Sequence, residues 1–299
     1  MGITVENLTK RYGPQLAVNQ LSFTASQGGV LGFLGPNGAG KTTSLRMIAG
    51  LLRPDQGKVY YGDLDIWAHP AEARRSIGYL PETNPLYPDL YVYEILSFYA
   101  KIHNVSGSRV DAVIEQVGLG QESNKKIKQL SKGFRQRVGL GIAILHDPKI
   151  LILDEPISGL DPNQLSGIRQ LIRELAREKT ILFSSHILSE VEQVCDRVLI
   201  IYKGELRVID SLERLQAEQD GRQVIVAEVD SEVPAESLSA ISTMDYCEKL
   251  APGKLRLVAH PGADMRKDLY QWSVQAGVVL LESRVEQTSV ASLFEKLTK

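Results

Sequence analysis

The run Gly35-Pro36-Asn37-Gly38-Ala39-Gly40-Lys41-Thr42-Thr43 has the residue types and spacing to hold a polyphosphate. Gly35, Gly38 and Gly40 let the backbone turn through positive φ, so successive N–H groups can point at phosphate oxygens. A helix opening at Thr42 aims its positive end at the same anion. Lys41 reaches the outer phosphates, and the Thr42 hydroxyl completes the shell of a magnesium ion that shields them. Glycine and proline also punctuate ordinary turns. The flanks favour the phosphate reading, because Val30 to Leu34 reads as a buried strand and Leu45, Ile48, Ala49 and Leu52 recur at helical spacing.

A second group of reactive residues lies farther along. Ile150-Leu151-Ile152-Leu153 is a continuous apolar run that ends in Asp154-Glu155-Pro156, the pattern of a strand buried on both faces of a parallel sheet. Ligands of such sheets sit outside the carboxyl edge, so Asp154 is placed to hold magnesium and Glu155 to polarise an attacking water. Paired acids at a helix entry can instead satisfy backbone donors. Ile181-Leu182-Phe183 is a further buried strand, and its end, Ser184-Ser185-His186, places a histidine where it can donate to a terminal phosphate. His69, His103, His146 and His260 have no such setting and receive no role. Tyr12, in the turn Arg11-Tyr12-Gly13-Pro14, is either a surface ring or one that covers a purine face.

The elements that must position these groups follow from periodicity. Ile3, Val5 and Leu8, then Leu16, Val18, Leu21 and Phe23, form a small β layer ahead of the loop; Gly57 to Tyr61 and Ile77 to Leu80 continue the strands. Between Tyr91 and Leu145 the period is helical, with segments Tyr91 to His103, Arg109 to Val117 and Gly133 to Leu145. Asp161-Pro162 opens another helix. Beyond the polar boundary Gln219-Asp220-Gly221, strands are expected at Val224 to Val229, Asp245 to Lys249, Lys254 to Val258 and Val278 to Arg284. Helices are expected near Ala235 to Ile241, Ala263 to Ala276 and Val290 to Leu297.

At 299 residues the chain is expected to form two domains. A net charge of −2 gives no basic surface for nucleic acid, and the short run Lys125, Lys126, Lys128 reads as a solvated loop. Cys195 and Cys247 stand far apart in no metal or redox spacing, which suits a reducing compartment without a disulfide. The first residues lack the pattern of a signal peptide, and no apolar run is long enough to span a bilayer, so a membrane role must come through a partner.

Leu130-Ser131-Lys132-Gly133-Phe134-Arg135-Gln136-Arg137 resembles the signature sequence of ABC transporter ATPases. Taken alone it also reads as a capped basic helix. The other elements of that family follow in its order over residues 1 to about 215. Tyr12 matches the adenine-stacking aromatic, Gly35 to Thr43 Walker A, Asp154 and Glu155 Walker B, Ser158 to Asp161 the D-loop, and His186 the switch histidine. Lys132 stands where the common signature has Gly and Phe134 where it has Gln. Glu82 takes the place of the glutamine that touches magnesium and water; its carboxylate can still ligate the ion.

The resemblance implies an α/β P-loop NTPase of ABC type, with a mixed sheet core, an antiparallel β subdomain and a helical subdomain at about 84–145. The ATPase domain would span 1–218 and a small α+β domain 219–299, like the C-terminal extension of ABC-2 type exporters. It further implies ATP and Mg2+ as ligands and a head-to-tail pair of ATPase subunits, a homodimer in the simplest case. Ser131 and Gly133 of one subunit would then close on ATP held by the other, with Asp161 beside them. A separate membrane permease would dock over Asn84 to Tyr99 and hold the chain at the cytoplasmic face of the membrane. The alternative is a soluble ABC ATPase acting as a regulator or nucleic-acid switch; the single cassette, the lack of sustained heptads and the charge speak against it.

Overall fold

The computed structural model describes residues 1–160, 162–217, 223–231, 233–286, 294 and 297. It comprises two compact units, Met1–Ser211 and Leu212–Leu297. This division falls earlier than the boundary expected after residue 218.

In the first unit, alternation buries Ile3 and Val5 on one face of β1 (Ile3–Tyr12), and a register shift between Val5 and Leu8 brings Leu8 into the same core before the strand turns through Gly13 into β2 (Gln15–Ala25). Tyr12 is thus the last residue of a strand rather than part of the turn. β3 (Val30–Leu34) is buried at every residue, and Phe33 meets Phe23 of β2 edge-on at 5.3 Å. The phosphate-type loop follows and delivers α1 (Lys41–Ile48). β4 (Gln56–Tyr61) and β5 (Leu64–Asp65) return to the first hairpin and complete an antiparallel sheet of order β2-β1-β4-β5.

α2 (Pro70–Ser76) and β6 (Ile77–Leu80) precede the helical block of α3 (Val92–His103), α4 (Gly107–Gln116) and α5 (Lys132–Ile144). α5 lies so close on β6 that a side chain at Gly78 would strike the Ala143 carbonyl. β7 (Ile150–Leu153), α6 (Pro162–Ala176), β8 (Thr180–Ser185), α7 (Leu188–Val194), β9 (Arg197–Tyr202) and β10 (Glu205–Ser211) finish the unit. Its main sheet has the order β10-β9-β3-β8-β7-β6, parallel except for β10 on β9. The carboxyl ends of β3, β8 and β7 therefore emerge side by side, as the apolar runs imply.

The second unit holds α8 (Leu212–Ala217), β11 (Val224–Val229), α9 (Ala235–Leu238), β12 (Met244–Ala251), β13 (Lys254–Ala259), α10 (Arg266–Ala276) and β14 (Leu280–Glu286). Its sheet, β12-β13-β11-β14, is antiparallel throughout. Ile225, Ala227, Leu255 and Leu257 pack beneath Leu238, Leu269 and Trp272, whose indole N–H donates to the Ser237 carbonyl.

Several boundaries differ from those expected: α9 stops at Leu238 and β12 runs from Met244 to Ala251. Two more differ for visible reasons. α10 begins at Arg266 because the Asp264 carboxylate accepts that residue's N–H, and β14 begins at Leu280 because Gly277 caps α10 in a left-handed conformation, φ 68°. The helix expected at Val290 to Leu297 lies outside the described residues apart from 294 and 297.

Candidate active site

Between β3 and α1 the chain makes two left-handed turns, at Gly38 (φ 79°) and at Gly40 (φ 105°). Gly40 is the N-cap of α1, and no side chain caps that helix, so its first-turn N–H groups are left for an anion. A cleft of about 410 Å³ opens over them. Tyr12, Asn37, Gly38, Gly40, Lys41, Thr42, Thr43, Glu82, Glu155 and His186 line it. Gly35, Pro36 and Ala39 form the loop behind, and the Lys41 ammonium donates to the Gly35 carbonyl at 2.8 Å.

The carboxyl edge of the main sheet supplies the acids. Glu155 leaves β7 with φ 51°, a strained value for a non-glycine residue, which turns its carboxylate toward the cleft lining rather than along the strand. His186 Nδ1 lies 2.9 and 3.0 Å from the two Glu155 oxygens, and Lys41 Nζ lies 3.6 Å from one of them. Burial pushes the Glu155 carboxyl above its ordinary value, opposed by the hydrogen bond from His186 and the charge of Lys41. A buried carboxylate of raised basicity, oriented by a histidine, suits a general base.

Asp154 lies beneath, fully buried. Its Oδ1 accepts from the Ser184 hydroxyl at 2.7 Å, while Oδ2 is buried without a hydrogen bond. Burial raises its pKa, with Ser184 and Thr42 pulling it down. An orphaned carboxylate oxygen beside a threonine hydroxyl and the nearby Glu82 is a donor set of hard oxygens, which fits a small hard cation.

Comparison with known proteins decides the family. A family model for the ABC transporter matches residues 18–158. The bacitracin transport ATP-binding protein of Bacillus licheniformis is 36% identical over 300 residues, covering 99% of this chain and 96% of the relative. The linearmycin resistance ATP-binding protein of Bacillus subtilis is 32% identical over 305 residues, covering 99% and 98%. This chain is an ATP-binding subunit of an ABC transporter, of the ABC-2 exporter type. As such it is an ATPase whose hydrolysis of ATP serves transport. Among solved structures, the ATP-binding subunit of an ABC transporter superposes with a TM-score of 0.66 at 28% identity, over 73% of this chain and 93% of that one. A bacterial ABC transporter cassette solved as a dimer gives 0.65 at 26% identity, over 70% and 98%.

In this ABC subunit the signature residues stand apart from the cleft. Ser131 caps α5, accepting the Phe134 N–H at 3.3 Å, and Gln164 of α6 donates to the same oxygen at 3.3 Å. A side chain at Gly133 would collide with Gln164. Asp161 lies outside the described residues. The structure thus gathers the loop, the two acids, Glu82, Tyr12 and His186 around one cleft, and Ser131 and Gly133 are not among its lining residues.

Several residues at this site carry no motif. Gln15 and Ala17 of β2 line the cleft beside Tyr12. Ser184 bridges both acids, accepting the Glu155 N–H at 2.8 Å while donating to Asp154. Ser185 donates to buried Glu190 and accepts the Ile187 N–H, which fixes the turn carrying His186. The run Ser184-Ser185-His186 was a signal for this, since two hydroxyls at a buried strand end need partners. His103 and His146, given no role from sequence, stack at 4.1 Å between α3 and the entry to β7, and neither lines the cleft.

Proposed function

We propose that Glu155 is the general base of ATP hydrolysis, that Lys41 and the loop N–H groups hold the phosphates, and that Tyr12 covers the adenine. Asp154, Thr42 and Glu82 would hold a magnesium ion, which supplies charge neutralisation to the phosphates when bound. The convergence of Lys41, His186 and the strained Glu155 on one cleft carries this reading. His186 keeps the Glu155 carboxylate aimed and ionised, and Lys41 offsets charge on the transferred phosphoryl group.

Neither Ser131 nor Gly133 lines the cleft of their own chain, which supports two subunits meeting head to tail so that each supplies its signature helix to the other's cleft. The α5 N-terminus would then add its dipole to the terminal phosphate. No helix among the described residues is long and apolar enough to cross a membrane. Relatives named as ATP-binding proteins of transport and resistance systems support a transport path on a separate permease. Exposed Tyr87, Tyr93 and Phe98 support residues 84–99 as its docking surface, which would hold the subunit at the cytoplasmic face of the membrane. Relatives named for bacitracin transport and linearmycin resistance support movement of the cargo out of the cell.

The test is recovery of this chain from its native membranes with and without ATP. A polytopic protein in stoichiometric amount is the expected companion. Ribosomes or nucleic acid in its place would turn the reading toward a soluble ABC regulator.

A further inference from the structure

The second unit ends its sheet on an open edge. β14 pairs with β11 on one side, and no described strand pairs with the other. Residues Leu281 to Val285 are all exposed along it, with Leu281 at 60% and Val285 at 46%. Open edges carrying apolar side chains invite another strand.

The order of residues on that edge says which strand. Leu281-Glu282-Ser283-Arg284-Val285 reads apolar, acid, small, base, apolar in both directions apart from the sign of charge. Antiparallel pairing of two copies about a twofold at Ser283 sets Glu282 opposite Arg284 of the partner subunit and Leu281 opposite the partner subunit's Val285, twice over. Moving the twofold to Arg284 instead sets Glu282 opposite a second acid at position 286, so charge selects the first register.

Glu282 also lacks compensation among the described residues. It lies directly across from Glu228 of β11, a like-charge pair that opposes the sheet, and the nearby Lys254 reaches only Glu228, at 3.9 Å. Among the described residues neither Glu282 nor Arg284 has an ion-pair partner. Tyr270 and Val274 of α10, spaced one helical turn apart, are 64% and 63% exposed, and Val279 is 56% exposed. The second unit therefore offers further apolar surface to a partner besides the edge strand.

We infer that β14 is a self-complementary docking edge, through which a second copy of this chain adds its own β14 to form one continuous antiparallel sheet. This contact uses residues of the second unit alone, needs no nucleotide, and is independent of the catalytic assignment.

The test places a cysteine on the twofold. Ser283→Cys is made in the full chain with Cys247→Ser, Cys195 being buried, and treated with a short bis-maleimide without ATP. A dimer-sized product is expected, absent from a control with Asp111→Cys on exposed α4. Sedimentation supplies the second reading. Glu282→Arg and Arg284→Glu each set like charges opposite one another and are expected to weaken association about tenfold or more, while the double exchange restores it. Cross-linking only within one chain, or in membranes only to a protein of another size, would overturn the inference, as would two single variants that associate like the original chain.

Discussion

The Ser184 hydroxyl donates to Oδ1 of Asp154 at 2.7 Å, and Oγ of Ser184 accepts the Glu155 N–H at 2.8 Å. One side chain on β8 thereby fixes both acids that leave β7. Ser184→Ala removes the donor and the acceptor together and leaves three buried polar atoms unsatisfied, counting Oδ2 of Asp154. The expected loss of stability is on the order of 1–3 kcal/mol. Because Ser184 also lowers the Asp154 pKa, the variant should need more magnesium for half-maximal ATPase activity. A magnesium titration that overlays the original enzyme would remove Ser184 from this role.

Glu155→Gln keeps the size of the side chain and removes its basicity. ATP binding should persist, because Lys41 and the loop do not depend on that charge, while turnover should fall by about 10²–10⁴-fold, the usual range for a missing general base. Equilibrium binding of a fluorescent ATP analogue and phosphate release, measured side by side, separate the two. Substantial residual hydrolysis would disqualify Glu155 as the base.

The acid side of the pH profile follows from burial. Glu155 must be ionised to accept a proton, and its raised pKa puts the fall in kcat above the ordinary glutamate value of about 4.3. His186→Ala deletes a hydrogen bond that lowers this pKa, so the limb should move to higher pH as well as the rate falling. An unshifted limb in that variant would dissociate His186 from the Glu155 proton.

The same burial has a stability counterpart at Asp154. A carboxyl whose pKa is raised by folding stabilises the fold below its unfolded pKa of about 3.9, and this contribution is lost as pH rises through the folded value. Above the folded value the ionised Asp154 is therefore a liability in the absence of a cation. Asp154→Asn should raise the thermal midpoint at pH 7 without magnesium while abolishing turnover. A midpoint lower than that of the original chain would contradict the assignment.

Local chemistry was legible in the sequence because it is written locally. A phosphate loop needs its glycines and lysine within a few residues, and β7 announces its two acids by the apolar run before them. That Ser184 would join the two acids was not legible, because it depends on β8 lying between β3 and β7, a fact of sheet order that periodicity does not contain. Gln15 and Ala17 reach the cleft for a similar reason, as ordinary strand residues brought there by a neighbouring sheet. The start of β14 at Leu280 rather than Val278 was set by the cap of α10, a detail of hydrogen bonding at Gly277.

Two glycines of the loop separate conformational strain from steric exclusion. Both Gly38 and Gly40 have left-handed φ, which costs a residue with a Cβ roughly 1–2 kcal/mol. A Cβ on Gly38 meets nothing within 4 Å, so Gly38→Ala should lose only that strain. A Cβ on Gly40 would lie 2.6 Å from the Ala17 carbonyl oxygen and 3.4 Å from the Gly204 Cα, both backbone atoms that cannot swing aside. Relief requires β2 to move away from the start of α1, which disturbs the helix N-terminus aimed at the phosphates. Gly40→Ala is therefore expected to be the less stable of the two in thermal melts without nucleotide, and to lose ATP affinity by tenfold or more, about 1.4 kcal/mol. Equal melting losses for the two variants would show that the backbone angle alone, and not the contact with Ala17, demands glycine at position 40.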